Sequence, residues 1–568
     1  MFNILAILSV FTLVVFQSSW IFQVAAVSET QYLHDTESLQ PQLSNDFHNT
    51  GFGNTRTRKR GNISSSVGLG DFNDLMYTVP IRLGNRMFAV HLDTGSSDLW
   101  VISDRCTENA CKESNISRFP DASFVPAGVD VEMHYGDSTT GTYASGSVGL
   151  TTASVAGITI AQQTFALIDD TTNHVVEFNA AGILGLSFPS ASKIQEEMTA
   201  TVGTGPLVQT DHFVESTDIS GPLLSRMAMS GALELPMFSV EFQRVAIDIS
   251  GNGSLTIGKL PDGIENSSLT WVPVRLYPTE DGGLAPPSSA PDEVYPFRWE
   301  VDIDGVFLDG KRFTDSAIPA DDDVDSQRVS ALIDTGNSLL RGPEDVVKNI
   351  LSSVSTTYDP DAPDPVAALP CNIPHSLAFQ IGGKMFPIDP RDFISQLDSM
   401  AVVCQADNLV ATDPPSVGSL FRWSLGTPFF RSNLVAFYYG NLTHPSMDPP
   451  RIGFLSVVPK NADQLLQDAI QKAMLNGGNF PNSVEPAPTA SASQRAHITV
   501  SAGVEYISSP TSTQEQLSQS ATDLVSTSFL STPTASTNGK AASAGVSIAL
   551  THGYLLLFCL QSVGLLSL

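Results

Sequence analysis

The chain has 568 residues, too many for one ordinary domain, and its 59 Asp and Glu against 29 Lys and Arg give a formal net charge of −30. That excess of anionic side chains excludes a nucleic-acid-binding protein, which needs Lys and Arg in quantity to meet phosphates. It favours basic partners and suits work in acid, where carboxylates lose their charge, although solubility alone gives many secreted proteins the same bias.

Residues 4–27 are almost uncharged and rich in Leu, Val, Ile and Phe, and Val24-Ala25-Ala26 offers small residues suited to signal-peptidase cleavage. Residues 1–26 therefore read as a signal peptide, with a membrane anchor as the competing reading because no Lys or Arg precedes the apolar run. Residues 27–60 read as a pro-segment ending in Arg58-Lys59-Arg60. In a secreted protein such a cluster is a processing site, here with cleavage after Arg60; a solvated basic patch is the alternative.

From 61 to 460 strand signals dominate. Residues 76–83 and 87–92 alternate partially about Gly84-Asn85, a turn pair between two strands. β-branched runs bounded by Gly, Pro, Asn and Ser recur at 147–160, 237–245 and 254–257. A faint repeat divides this body into lobes at 61–245 and 246–460: each half has an apolar run into Asp-Thr-Gly, then a later apolar run around Gly. The later runs are Ala181-Gly182-Ile183-Leu184-Gly185-Leu186 and Trp423-Ser424-Leu425-Gly426-Thr427-Pro428-Phe429. Residues 277–296 and 314–328 look inserted. The second stretch holds Asp321-Asp322-Asp323, with no Gly, Asn or Glu at loop-ligand spacing, so it reads as a solvated loop and not a metal site.

Residues 461–540 read as a helix followed by a stalk. Leu465, Leu466, Ala469, Ile470 and Ala473 fit one amphipathic helix stopping near Asn476-Gly477, either packed beside the body or leading into the stalk. From about Gly478 the composition turns rich in Ser, Thr, Pro and Ala, too polar to bury a core. Residues 541–568 end in an apolar tail preceded by small residues, the signal for a glycolipid anchor, with Asn538, Gly539 and Ser543 as candidate attachment points. A permanent transmembrane helix competes, but no Lys or Arg follows Lys540 to hold a cytosolic end.

Of five Cys, Cys559 lies in the tail that anchoring removes, leaving four. Three pairings are open, and proximity favours Cys106 with Cys111 and Cys371 with Cys404. Disulfides need the oxidising route that a signal peptide provides. Sequons at Asn62, Asn115, Asn252, Asn266 and Asn441 point to the same route.

The informative chemistry is the pair of motifs Asp93-Thr94-Gly95-Ser96 and Asp334-Thr335-Gly336-Asn337, whose acids are 241 residues apart. One Asp-Thr-Gly alone is an ordinary turn. Two with matched flanks, one in each half, imply two acids meeting at a shared site. Gly lets the backbone turn sharply and approach the facing lobe without a Cβ in the way. Hydroxyls and amides around each turn can hydrogen-bond the carboxylates. Two carboxyl groups held side by side share a proton, so one can accept a proton from water while the other donates.

With these motifs in this order, residues 76–458 resemble the pepsin family of aspartic peptidases. The basic pro-site, stalk and anchor signal together resemble its fungal glycolipid-anchored, yapsin-like branch. The resemblance implies a mainly β, bilobal fold with the active cleft between lobes, polypeptide substrates, no cofactor and no metal. It also implies a monomer held at the extracellular face of the plasma membrane or in the cell wall. Asp93 and Asp334 become the catalytic pair, supported by Thr94, Gly95, Ser96, Thr335, Gly336 and Asn337. Tyr135-Gly136-Asp137-Ser138 becomes the tip of a flap closing over substrate, with Tyr135 hydrogen-bonded toward Trp100. Three positions depart from the family pattern. Asn337 stands where Thr or Ser supports the second acid, and Ala181 and Thr427 stand where Asp is frequent beside Gly182 and Gly426.

Asp137 is the specificity clue. In fungal relatives an acid here, followed by Ser, accompanies acceptance of Lys before the cut, and a carboxylate at the mouth of an apolar pocket offers a partner for an ammonium. A turn cap is the alternative. A preference for Lys or Arg would also let the enzyme cut its own Arg58-Lys59-Arg60 junction. Two competing functions stay open: an inactive surface-binding protein on the same scaffold, and an unanchored secreted digestive peptidase.

Overall fold

The computed structural model describes residues 61–487, apart from 109–110, 113–115, 137–140, 203–209, 320–327 and 413–420, and it also describes 498–500. The signal peptide, the pro-segment with Arg60, Asn115, Asp137, the Asp321–Asp323 run and the anchor candidates Asn538, Gly539 and Ser543 lie outside the described residues.

Strands organise the body. The paired runs about Gly84-Asn85 form the hairpin Met76–Leu83 and Arg86–Asp93, with Gly84 at φ 58°, the left-handed region that glycine adopts at no steric cost. The run at 147–160 is not one strand. It spans the turn between the long strands Thr142–Val155 and Ile158–Thr171, where Ala156 and Gly157 both have positive φ.

The repeat has a structural meaning. In the first half Arg86–Asp93 runs parallel to Gly182–Gly185, which is antiparallel to Leu99–Ile102. In the second half Ser330–Ile333 runs parallel to Trp423–Leu425, which is antiparallel to Leu340–Pro343. Each later apolar run therefore passes between the strand entering its Asp-Thr-Gly turn and the strand leaving it. The turn needs Gly185 and Gly426 beneath it: an added Cβ would stand 2.3 Å from the carbonyl carbon of Ser97 and 2.1 Å from the carbonyl oxygen of Asn337, respectively.

The first half is built on a ten-stranded sheet and the second on a five-stranded one. A six-stranded sheet joins them, placing Ser65–Gly68 beside Ser254–Ile257, then Met237–Glu241, Asn433–Tyr438, Arg451–Ser456 and Thr270–Pro273. Its apolar face shares one core with both halves; Leu92, Phe238, Trp299, Ile333 and Phe437 belong to a single buried cluster. The fold is mainly β and bilobal.

Several helices carry no clear sequence signal. Thr210–Ser220 is rich in Thr, Ser and Asp, poor helix formers, yet it buries Phe213, Val214 and Thr217 and is tied down by Gln195, whose Nε2 donates to Phe213 O at 2.8 Å. The stretch 277–296 is closed at its base by pairing of Leu276–Tyr277 with Tyr295–Pro296. Cys106 is bonded to Cys111 and Cys371 to Cys404, the pairing proximity favours.

Beyond 460, the helix Ala462–Leu475 buries Leu466, Ala469, Ile470 and Ala473 against the body, the first of the two expectations for it. The expectation of a segment too polar to pack from about Gly478 needs correction for residues 478–487; 488–497 and 501–540 lie outside the described residues. Phe480 is buried and its N–H donates to Gln396 Oε1 at 2.9 Å, Ser483 N–H donates to Val245 O at 3.0 Å, and Val484–Glu485 pairs with Gly70–Phe72. Backbone pairing and one aromatic anchor hold a segment whose composition alone reads as solvated. No described helix is long and apolar enough to cross a membrane.

Candidate active site

Asp93 ends the strand Arg86–Asp93, and Asp334 directly follows Ser330–Ile333. The two turns face one another so closely that each glycine sits against the opposite carboxyl group. A Cβ at Gly95 would lie 2.6 Å from Asp334 Oδ1, and one at Gly336 would lie 2.3 Å from Asp93 Oδ1. Neither glycine has positive φ, so the close approach, not a left-handed turn, requires the missing side chain.

The two carboxyl groups are held alike at one oxygen and differently at the other. Gly95 N–H donates to Asp93 Oδ1 and Gly336 N–H to Asp334 Oδ1, both at 2.8 Å. Ser96 Oγ then donates to Asp93 Oδ2. Asn337 does not do the same for Asp334. Its Nδ2 donates to Ser424 Oγ at 2.9 Å, and its Oδ1 accepts from Leu339 N–H and Arg341 Nε. The expected amide support of the second acid is therefore absent among the described contacts, because Ser424 on the neighbouring strand competes for it. Burial and then the charge of Asp93 push Asp334 well above the ordinary carboxylate range, with Gly336 N–H and Arg298 opposing.

Thr94 and Thr335 also depart from the expected contacts. Their hydroxyls do not touch the carboxylates but cross between the halves. Thr94 Oγ1 donates to Ile333 O at 2.7 Å and accepts from Thr335 N–H at 2.9 Å; Thr335 Oγ1 donates to Leu92 O at 2.7 Å and accepts from Thr94 N–H at 3.0 Å. Four hydrogen bonds between fully buried groups fix the two turns to each other, and the acids ride on that clamp.

Tyr135 ends the strand Pro126–Tyr135, and Gly136 beyond it has φ 86°. Trp100 Nε1 donates to Tyr135 Oη at 2.8 Å, with the rings 6.5 Å apart. Burial, then Asp98 and Asp93, push the Tyr135 phenol well above its ordinary value, placing it within the field of the first acid. Ala181 and Thr427 replace an acid with packing and a hydroxyl. Ala181 is buried, and Thr427 Oγ1 lies 2.9 Å from Ser338 O and 3.0 Å from Asp74 O.

Of the sequons, Asn62, Asn252 and Asn266 are exposed, while Asn441 is half-buried with its Oδ1 accepting from Thr443 N–H and Oγ1. No group of three or more His, Cys, Asp or Glu among the described residues is placed to hold a metal ion.

The sequence reading overlooked three residues near the acids. Asp98 is a buried carboxyl between the first turn and the helix Lys193–Val202; it accepts from Ser192 Oγ at 2.5 Å and Lys193 N–H at 2.8 Å, and burial pushes it up to about 6. His91 is buried two residues before Asp93, and burial lowers it. Arg298 precedes Trp299, whose Nε1 donates to Leu186 O at 3.0 Å and whose carbonyl accepts Ile333 N–H at 3.0 Å. No local spacing marks these three, since each owes its environment to segments distant in sequence.

A family model described as eukaryotic aspartyl protease matches residues 76–444. Among curated relatives, the chain is 23% identical to major aspartyl peptidase 1 of Cryptococcus neoformans var. grubii over 457 residues, covering 78% of this chain and 81% of the relative. It is 28% identical to sheep (Ovis aries) chymosin over 393 residues, covering 66% and 82%. It is 27% identical to mouse (Mus musculus) cathepsin E over 423 residues, covering 72% and 90%.

Proposed function

The chain belongs to the eukaryotic aspartyl protease family and is an aspartic-type endopeptidase, and we propose that Asp93 and Asp334 are its catalytic pair. The observation that carries this reading is the interlocked pair of turns, with the two carboxyl groups facing across the clamp of Thr94 and Thr335.

Unequal support sets the roles. Asp93 receives Gly95 N–H and Ser96 Oγ, donors that favour a charged carboxylate, whereas Asp334 receives Gly336 N–H and is pushed up by burial and by the charge and hydrogen bond of Asp93. The shared proton therefore rests on Asp334. Asp93 accepts a proton from a water held between the acids while Asp334 donates to the carbonyl oxygen of the scissile peptide. The resulting tetrahedral intermediate collapses as its C–N bond breaks, with Asp93 passing its proton to the leaving nitrogen and a hydroxyl of the intermediate returning a proton to Asp334. Tyr135, held by Trp100, covers the bound peptide and keeps bulk water from the reacting carbonyl.

The finer reading rests on sequence. The enzyme is made as a secreted, glycosylated zymogen cut after Arg60 and anchored by glycolipid near Asn538, Gly539 or Ser543, as in the yapsin-like branch. It acts as a monomer at the outer face of the plasma membrane or in the cell wall, and Asp137 favours Lys or Arg before the cut. Two measurements test this. Phosphatidylinositol-specific phospholipase C should release the protein from membranes; retention contradicts the anchor. Matched peptides with Lys, Arg or Leu before the scissile bond should be cut at least about tenfold faster with a basic residue, a discrimination of about 1.4 kcal/mol. Equal or faster cleavage after Leu contradicts the role given to Asp137.

A further inference from the structure

The arginines buried in this fold are almost all paired with carboxylates. Arg244 and Arg431 hold Asp392, Arg391 holds Asp389 and Asp248, and Arg275 approaches Glu300 and Asp281. Arg298 differs. It is half-buried, its Nε is shielded from solvent without a hydrogen-bond partner, and among the described residues it forms no ion pair.

Its position is nevertheless well fixed. Ser190 Oγ donates to Pro296 O two residues earlier, and Trp299 is tied to Leu186 and to Ile333, the residue before Asp334. Leu186 N–H in turn donates to Asp93 O at 2.8 Å, so position 298 is referenced to both acids. The guanidinium sits 5.3 Å from the Phe297 ring centroid, and Phe297 itself lies 5.6 Å from Tyr277. The charge of Arg298 is felt at Asp334 and at Tyr277, the latter bonded to the Glu300 that Arg275 approaches. A guanidinium held against an aromatic face, partly desolvated and with no carboxylate of its own among the described residues, is a receptor for a carboxylate from outside.

We propose that Arg298 is a specificity-determining residue, receiving an acidic side chain of the substrate on the Asp334 side of the scissile bond. The proposal rests on the peptidase reading given above. It adds no step to the reaction of the acids and gives a preference that titrates with the substrate. A Glu side chain is ionised only above about pH 4.3, so the preference grows as pH rises through that value.

The test uses the purified mature enzyme and peptides carrying Glu, Gln or Lys at each of two positions on either side of one fixed scissile bond, assayed at pH 3 and pH 5.5. At one position, Glu should exceed Gln by about tenfold in kcat/KM at pH 5.5 and by less than about twofold at pH 3, with Lys the poorest. Arg298→Met should erase the Glu/Gln ratio at that position and leave the ratios at the other positions. Arg298→Lys should keep the sign with a smaller ratio, since an ammonium lacks the planar fork. No Glu/Gln discrimination at any position in the wild type overturns the proposal. So does discrimination that survives Arg298→Met, or that does not change between the two pH values. The all-Gln peptide reports separately on the peptidase reading: its cleavage stands or falls with the acids, whatever the Glu/Gln ratio shows.

Discussion

Asp334→Asn and Asp93→Asn each lower kcat by about 10⁴-fold or more, about 5.5 kcal/mol of transition-state stabilisation, with the melting temperature at about pH 4 nearly unchanged. Either change breaks the same unit, because an amide can neither share the proton between the two groups nor exchange it with water and carbonyl oxygen in turn. Fold retention follows from the site's construction. The clamp that sets the turns uses the Thr94 and Thr335 hydroxyls and backbone groups, not the carboxylates. Asn also keeps an oxygen to accept Gly95 N–H or Gly336 N–H. Cleavage assays on both variants with circular dichroism melts check this. An unfolded variant, or a folded one with more than about 1% of wild-type kcat, contradicts the assignment.

The second large effect is on stability against pH. Burial, then Asp74, pushes Asp71 well above the ordinary carboxylate range; burial pushes Asp98 up to about 6; Asp334 is raised as described. A carboxyl whose folded pKa is raised favours the fold in its protonated form. Its contribution is complete below the unfolded value near 3.8 and is lost as pH climbs through the folded value. For Asp98 alone, a rise of about two units corresponds to about 3 kcal/mol lost by neutral pH. Asp392 works in the opposite sense. Burial would raise it, but Arg244 and Arg431 more than offset this and hold it well below the usual range. Its contribution is present above pH 3.8 and is lost as pH falls toward its depressed folded value. Stability therefore peaks near pH 4, and the melting temperature drops by at least about 5 °C between pH 4 and pH 8. Differential scanning calorimetry across that range decides it, and Asp98→Asn should flatten part of the fall. A melting temperature that is level or rises toward pH 8 would show that these carboxyls are not buried as described.

The contrast between Asp93 and Asp98 shows what a single sequence can reveal about this site. Asp93 is legible because it ends an apolar strand, is followed by Thr-Gly, and has a counterpart at Asp334 with the same flanks. The hairpin about Gly84-Asn85 and the helix Ala462–Leu475 are legible for a similar reason: period, turn residues and stop signal all lie within one short window. Asp98 owes its shift to burial, opposed by donors from Ser192 and Lys193, a segment that local spacing does not connect to it. The same holds for the Thr94–Thr335 clamp, which exists only once the two turns face one another, and for Asn337, diverted by Ser424. The pairing of Val484–Glu485 with Gly70–Phe72 unites segments from opposite ends of the body, and composition alone argues against it. Arg298 is invisible to pattern for the most basic reason. A lone Arg between two aromatics carries no information until its lack of a carboxylate partner among the described residues is seen.

The shared proton is the central claim, and the pH dependence of kcat/KM tests it most directly when measured from pH 2 to pH 8 on a peptide with no ionisable side chain near the cut. The account predicts a bell with two apparent values belonging to the pair, its basic limb displaced above the ordinary carboxylate range because the proton rests on the buried Asp334. Ser96→Ala should narrow the bell from the acidic side by removing the hydroxyl donated to Asp93. A profile with a single ionisation near 4, unchanged by Ser96→Ala, would mean that the two acids titrate independently, and the mechanism built on their pairing would be wrong.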